Sequence, residues 1–195
     1  MEYLQQPEIK ALLKVSYEYG NREAHLAFLT MFATGARVSQ VVGDRHSTKP
    51  INGLKGIDII PDPTTGGHRI RIVKAKRGKT RTFRVLVSPN PALDMADLVT
   101  LAQQRGTNLL FGGLTRHYLH TLIKKFAAIA GLHPDMVHCH VIRHSAAMRV
   151  YEKTNRIGAV SGFLCHTDPS AAYTYVQEND GQLADEAMAS VFSAG

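Results

Sequence analysis

The sequence predicts an α+β fold, mostly helical, with a small antiparallel β-sheet near the N-terminal third. Three observations lead there. Apolar residues recur at helical spacing along most of the 195 residues. Alternation of charged and apolar residues is confined to a short stretch, His68–Val73 and Thr80–Val87. A chain of this length also suits a single core, burying about 70% of its unfolded surface.

The elements follow in order. Glu8–Tyr19 and Arg22–Thr34 are predicted helices, separated at Gly20-Asn21, and Gly35 ends the second. Its segment Leu26–Ala33 is the longest apolar run and reads as buried helix. Val38–Val42 forms a short continuation, and residues 43–56, carrying Gly, Pro, Asn and Ser, form a loop. Gly56–Ile60, His68–Val73 and Thr80–Val87 are strands, with a turn at Arg77-Gly78. Pro91–Gln104, Thr115–Ala130, His140–Lys153, Arg156–Leu164 and Pro169–Tyr175 are helices. Asn155 and Asp168-Pro169 suit helix starts, as an N-cap or a first-turn proline. Gln182–Phe192 is a last short amphipathic helix, apolar at Leu183, Met188, Val191 and Phe192.

No stretch approaches the roughly 18 apolar residues of a membrane span. The N-terminal residues lack the charged and apolar regions of a signal peptide. Cys139 and Cys165 form no C-x-x-C pair, which suits a reducing cytoplasm. The formal charge is +7, and residues 45–84 hold eleven Lys/Arg against Asp58 and Asp62. Arg69, Arg71, Lys74, Arg77, Lys79 and Arg81 crowd one acid-free run. Such a concentration points to a polyanion partner, with a solvated basic face as the bland alternative.

Six residues suit work on a phosphodiester: Arg37, Lys76, His140, Arg143, His166 and Tyr175. They supply two guanidiniums, an ammonium, two imidazoles and a phenol, without a carboxylate. Arg37 lies in Thr34-Gly-Ala-Arg37-Val-Ser-Gln, a corner between helices where a guanidinium can grip phosphate bidentately. Pairing with a carboxylate is the structural alternative. His140 and Arg143, three apart in His140-Val-Ile-Arg143-His144, share a helix face. Leu164-Cys-His166 follows, and Tyr175 lies nine residues after His166. A metal site from His138, Cys139, His140, His144, Cys165 and His166 has an i, i+4 histidine pair, but neither the H-E-x-x-H glutamate nor a C-x-x-C pair.

This pattern resembles the tyrosine recombinase (phage integrase) family: T-G-x-R-x-S-E, a lysine in a β-turn, H-x-x-R-H, L-G-H, then tyrosine nine residues on. The resemblance runs from about residue 7 to 176. It implies the recombinase catalytic fold, with Arg37, His140, Arg143 and His166 around the phosphate and Tyr175 as nucleophile. Ala75-Lys76-Arg-Gly-Lys79-Thr-Arg81 aligns with the family's hairpin, making Lys76 the general acid and Lys79 the runner-up. Tyr173 stands two residues short of the expected spacing, and Tyr151 suits packing. Two positions depart from the family: Gln40 replaces an acid, and Cys165 replaces a glycine.

The resemblance implies transesterification. Tyr175 would attack a DNA phosphate, giving a 3′-phosphotyrosyl link and a free 5′-hydroxyl, and a second 5′-hydroxyl would reverse the attack. Bond energy stays in the intermediate, so no cofactor is expected. The domain expectation is one catalytic domain over 1–195, with a tail helix in 177–195 and no N-terminal core-binding domain. That tail resembles a segment docking onto a neighbouring protomer, implying a homo-oligomer on DNA; packing on its own domain is the alternative. A catalytic fragment of a longer integrase, or an integrase-fold DNA binder that no longer recombines, is the competing function.

Overall fold

The structure is a computed structural model, describing residues 3–44, 48, 50–73 and 80–164. Helices α1 (Gln6–Tyr19), α2 (Arg22–Thr34) and α3 (Val38–Val42) open the chain. Strands β1 (Ile59–Pro61), β2 (His68–Val73) and β3 (Thr80–Arg84) follow, then α4 (Ala96–Arg105), α5 (Arg116–Ile129), α6 (Cys139–Thr154) and α7 (Ile157–Leu164). This is the helix-dominated α+β architecture that the sequence predicts. The turn at Arg77-Gly78 and the helices Pro169–Tyr175 and Gln182–Phe192 lie outside the described residues. The chain divides within α6 into two compact units, Glu2–Ala146 and the stretch from Ala147 onward.

In the first unit, α1 packs on α2 and α5. Asn21 starts α2 by accepting the Ala24 N–H at 2.7 Å. Leu119, Ile123, Phe126 and Ala127 form the buried face of α5 at i, i+4, i+7 and i+8. Phe28 and Phe126 meet edge to face with centroids 6.0 Å apart. The antiparallel sheet has the order β1-β2-β3 and adds Ile59 and Ile70 to the core, with Phe83 packed against it. Its other face carries the register pairs Arg69↔Arg84 and Arg71↔Thr82.

Three elements differ from expectation, each for a local reason. Gly56–Asp58 is a 3-10 turn rather than the start of a strand. The Asp58 carboxylate accepts the Lys55 N–H at 2.9 Å, while Gly56 and Ile57 donate to Asn108 and Gly106. Any Cβ at Gly56 would collide with the Ala102 carbonyl oxygen, so only glycine lets these segments close up. The predicted helix Pro91–Gln104 is split into a 3-10 turn, Pro91–Leu93, and α4. Met95 donates instead to the Leu86 carbonyl at 2.9 Å, and the Asp94 carboxylate restarts the helix by accepting from Ala96. That diversion of Leu86 also explains why β3 stops short of Val87.

In the second unit, Asn155 closes α6 rather than capping α7. It adopts a left-handed φ of 47°, a conformation asparagine tolerates, and its N–H donates to the Tyr151 carbonyl. The Arg156 carbonyl then accepts from Ala159 and Val160 as α7 begins.

Candidate active site

Two backbone features of the first unit bring Arg37 and Arg143 together. Thr34 closes α2 by donating to the Thr30 carbonyl at 2.6 Å, and Gly35 turns left-handed with φ 61°. The chain reverses there, and Arg37 lands at the cap of α3 with its side chain exposed. Arg143, 2% exposed on α6, donates from Nη1 to the Gly35 carbonyl. One glycine carbonyl thus holds one arginine while the other leaves the same corner two residues later. The Arg37 guanidinium has no carboxylate partner among the described residues, so its charge faces the cleft.

His140 precedes Arg143 by three residues on α6, and both line the cleft with Arg37. The helix is anchored on its far side: Ser145 Oγ donates to the Val141 carbonyl at 2.8 Å and accepts the Leu4 N–H at 2.9 Å. Desolvation lowers the His140 pKa, and the Arg143, His138, Arg37 and His144 charges lower it further. His140 is therefore held neutral, able to accept a proton or to donate from one ring nitrogen. Its ring stacks near that of His138, with centroids 6.4 Å apart. Cys139 is buried, with its thiol pushed up to about 11 mainly by burial, which suits packing rather than nucleophilic chemistry.

The cleft encloses about 960 Å³ and extends past these three residues to the start of α5. Arg116, His117, His120 and His138 line that extension; sequence reasoning passes over the first three and names His138 only as a candidate metal ligand. The signal was present in the sequence: Thr115 caps α5 by accepting the Tyr118 N–H at 3.1 Å, and Arg116, His117 and His120 follow in its first turns. Asp44 is the acid on the wall and pairs with Arg116 at 2.7 Å. Anion binding suits this lining better than cation binding. Among the described residues, no three His, Cys, Asp or Glu side chains gather as metal ligands.

The basic strands divide by partner. Arg69 reaches Asp62 at 3.2 Å and Thr82 Oγ1 at 3.1 Å. Arg71 binds Asp58 Oδ1 through Nε at 3.0 Å and Nη2 at 2.8 Å. Both arginines therefore tie the central strand β2 to the segments that flank β1. Arg81 and Arg84 are exposed and have no acid partner among the described residues. Lys74, Lys76, Arg77, Lys79, Cys165, His166, Tyr173 and Tyr175 lie outside the described residues. No helix among the described residues is long and apolar enough to cross a membrane.

Comparison with known proteins gives this geometry its context. The tyrosine recombinase XerD of Rickettsia conorii is 28% identical over 197 residues, covering 91% of this chain and 61% of that protein. XerD of Rickettsia bellii is 27% identical with the same coverage. The chain thus spans about three fifths of the length of these relatives. Among solved structures, the XerH site-specific recombinase in its post-cleavage complex with palindromic difH aligns with a TM-score of 0.69 at 20% identity. That match covers 95% of this chain and 52% of XerH. A lambda integrase dimer bound to a COC′ core site aligns with a TM-score of 0.62 at 18% identity, covering 89% of this chain and 47% of the integrase. The fold is that of these recombinases, and the sequence match to the family extends over residues 2–182. The chain belongs to the phage integrase family.

Proposed function

We propose that this chain cleaves and rejoins double-stranded DNA through a 3′-phosphotyrosyl intermediate, as a site-specific tyrosine recombinase. The observation that carries the reading is the convergence of Arg37, Arg143 and neutral His140 on one cleft, anchored at Gly35. Two guanidiniums complement the charge that builds on the two non-bridging oxygens of a phosphorane-like transition state, where preorganised donors act most strongly.

In this mechanism Tyr175 Oη attacks the scissile phosphorus as the P–O5′ bond breaks. Arg37 and Arg143 neutralise the non-bridging oxygens, and His166 donates to one of them. His140 takes or orients the phenol proton. Lys76 passes a proton to the departing O5′. Rejoining reverses each transfer, with a second 5′-hydroxyl as nucleophile, and no cofactor enters the balance.

The phosphate backbone supplies affinity through the cleft and the exposed arginines of β3, making binding strongly salt-dependent. The DNA-bound XerH and lambda integrase structures support double-stranded DNA as the partner; a cytoplasmic enzyme acting as a homo-oligomer on DNA completes the proposal.

A nicked suicide substrate tests the reading, because the cleaved fragment diffuses away and traps the protein on DNA. A recombinase accumulates a covalent adduct that survives denaturation. An integrase-fold protein that only binds DNA yields none, and that result would replace this proposal.

A further inference from the structure

His138 lies one residue before α6 begins, and its ring runs nearly parallel to that of His140, at an interplanar angle of 15° with centroids 6.4 Å apart. Side chains two positions apart within a helix point away from each other. His138 stands outside the helical spiral, so the two rings can share one side of the chain. Its backbone is held there: the His138 carbonyl accepts the Val141 N–H at 2.9 Å, and Val137 and Cys139 are buried on either side. The stack thus joins an anchored ring to an exposed one, since His140 opens onto the cleft. An exposed imidazole exchanges rotamers within nanoseconds unless a neighbour restricts it.

We infer that His138 is a positioning residue for His140, holding that imidazole by an offset ring stack so that it keeps one orientation in the cleft. The inference rests on the proposed strand-transfer reaction, in which His140 moves or orients a proton. His138 also brings charge to the pair. Arg37, Arg143 and His144 face His140, and His120 and Lys124 of α5 face His138. Asp135 pairs with Lys124 at 3.1 Å, and Asp44 with Arg116 at 2.7 Å. Burial, then the His120 and Lys124 charges, lower the His138 pKa. The His138 charge in turn helps to lower that of His140, after desolvation and Arg143. Removing the His138 imidazole should thus raise the His140 pKa and bring the acid limb of cleavage to higher pH.

His138→Phe and His138→Ala separate the stack from the charge. Phenylalanine keeps a flat ring against His140 and drops the charge, whereas alanine drops both. Losing the stack should cost about five-fold in rate, the scale of one aromatic pair.

The test has two arms on the intact chain. Without DNA, NMR follows the His140 ring through its titration and reads χ1 averaging from three-bond couplings, with Tm as a control. Both variants should raise the His140 midpoint, and only His138→Ala should add χ1 averaging. An unmoved midpoint, or equal averaging in both variants, overturns the stack. With DNA, single-turnover cleavage is measured from neutral pH through the acid range. His138→Ala should be about five-fold slower at neutral pH, with most of that rate recovered in His138→Phe. Both variants should lose activity at a higher pH than wild type. A wild-type rate in His138→Ala, or an acid limb that stays in place, overturns the positioning role. A wild type that cleaves nothing while the ring responds as expected removes the strand-transfer reading and leaves the His138–His140 stack standing.

Discussion

Arg143 donates from Nη1 to the carbonyl of Gly35, a residue 108 positions earlier in the chain. This bond joins α6 to the corner that carries Arg37. A guanidinium can do this because its fork offers separate donors to the backbone and to a ligand. Lysine gathers its donors on one nitrogen and has no planar fork to hold backbone and ligand apart.

Arg143→Lys should therefore lose both catalysis and stability. Cleavage is expected to fall by about 10²–10³ in a single-turnover assay. Leaving the buried Gly35 carbonyl unpaired should cost about 1–3 kcal/mol in denaturant titration. Cleavage near the wild-type rate would remove Arg143 from the phosphate site.

The two kinds of arginine on the sheet should separate in a salt titration. Arg81→Ala and Arg84→Ala should each lower the slope of log K against log salt by about one, leaving Tm unchanged. Arg69→Ala should lower Tm, because Asp62 is 3% exposed and loses its cationic partner. A changed salt slope at unchanged Tm in Arg69→Ala would mean that Arg69 meets phosphate rather than Asp62.

His140 should set the acid limb of the cleavage profile. Its pKa is lowered, first by desolvation and then by Arg143, so the neutral form prevails down to below about pH 6.5. Cleavage should fall only below that pH, as the imidazole gains its proton. His140→Gln should be slower by about 10²-fold and lose this limb. An unaltered limb in the variant would assign it to another group.

His25 should make the fold sensitive to acid independently of catalysis. It is 1% exposed, and its Nδ1 lies 2.8 Å from Ser16 Oγ. The Ser16 hydroxyl donates to the Leu13 carbonyl, so it accepts from a neutral imidazole. Burial, and then the Arg22 charge, lower the His25 pKa to about 4. The unfolded chain protonates near pH 6.5, whereas the folded chain resists until about 4. This contribution is thus complete above about 6.5 and is lost as pH falls toward 4. Tm measured from pH 7.5 to 4.5 should fall more steeply for wild type than for His25→Gln, and parallel curves would contradict the assignment.

The part of the candidate site within the described residues was legible because Arg37, His140 and Arg143 sit in short local patterns. His140 and Arg143 share a helix face by spacing alone, and Gly35 marks the corner that exposes Arg37. The cleft extension at Arg116, His117 and His120 shows in the sequence only as a capped basic helix start, and that it lines one cleft with His140 and Arg143 depends on tertiary packing. Nor could spacing show that Arg69 and Arg71 are taken up by Asp62 and Asp58, pairs created by strand register and the turn before β1. The split of Pro91–Gln104 had a similar origin: Met95 bonds to Leu86 across a loop, a contact that helical periodicity cannot reveal.

The nucleophile is the central claim, and mapping the covalent adduct tests it most directly. Protein trapped on a nicked suicide substrate is digested, and the peptide that carries the nucleotide is identified by mass spectrometry. The account predicts a phosphodiester on Tyr175, with Tyr175→Phe binding DNA but forming no adduct. An adduct that persists in Tyr175→Phe and disappears in Tyr173→Phe would contradict it.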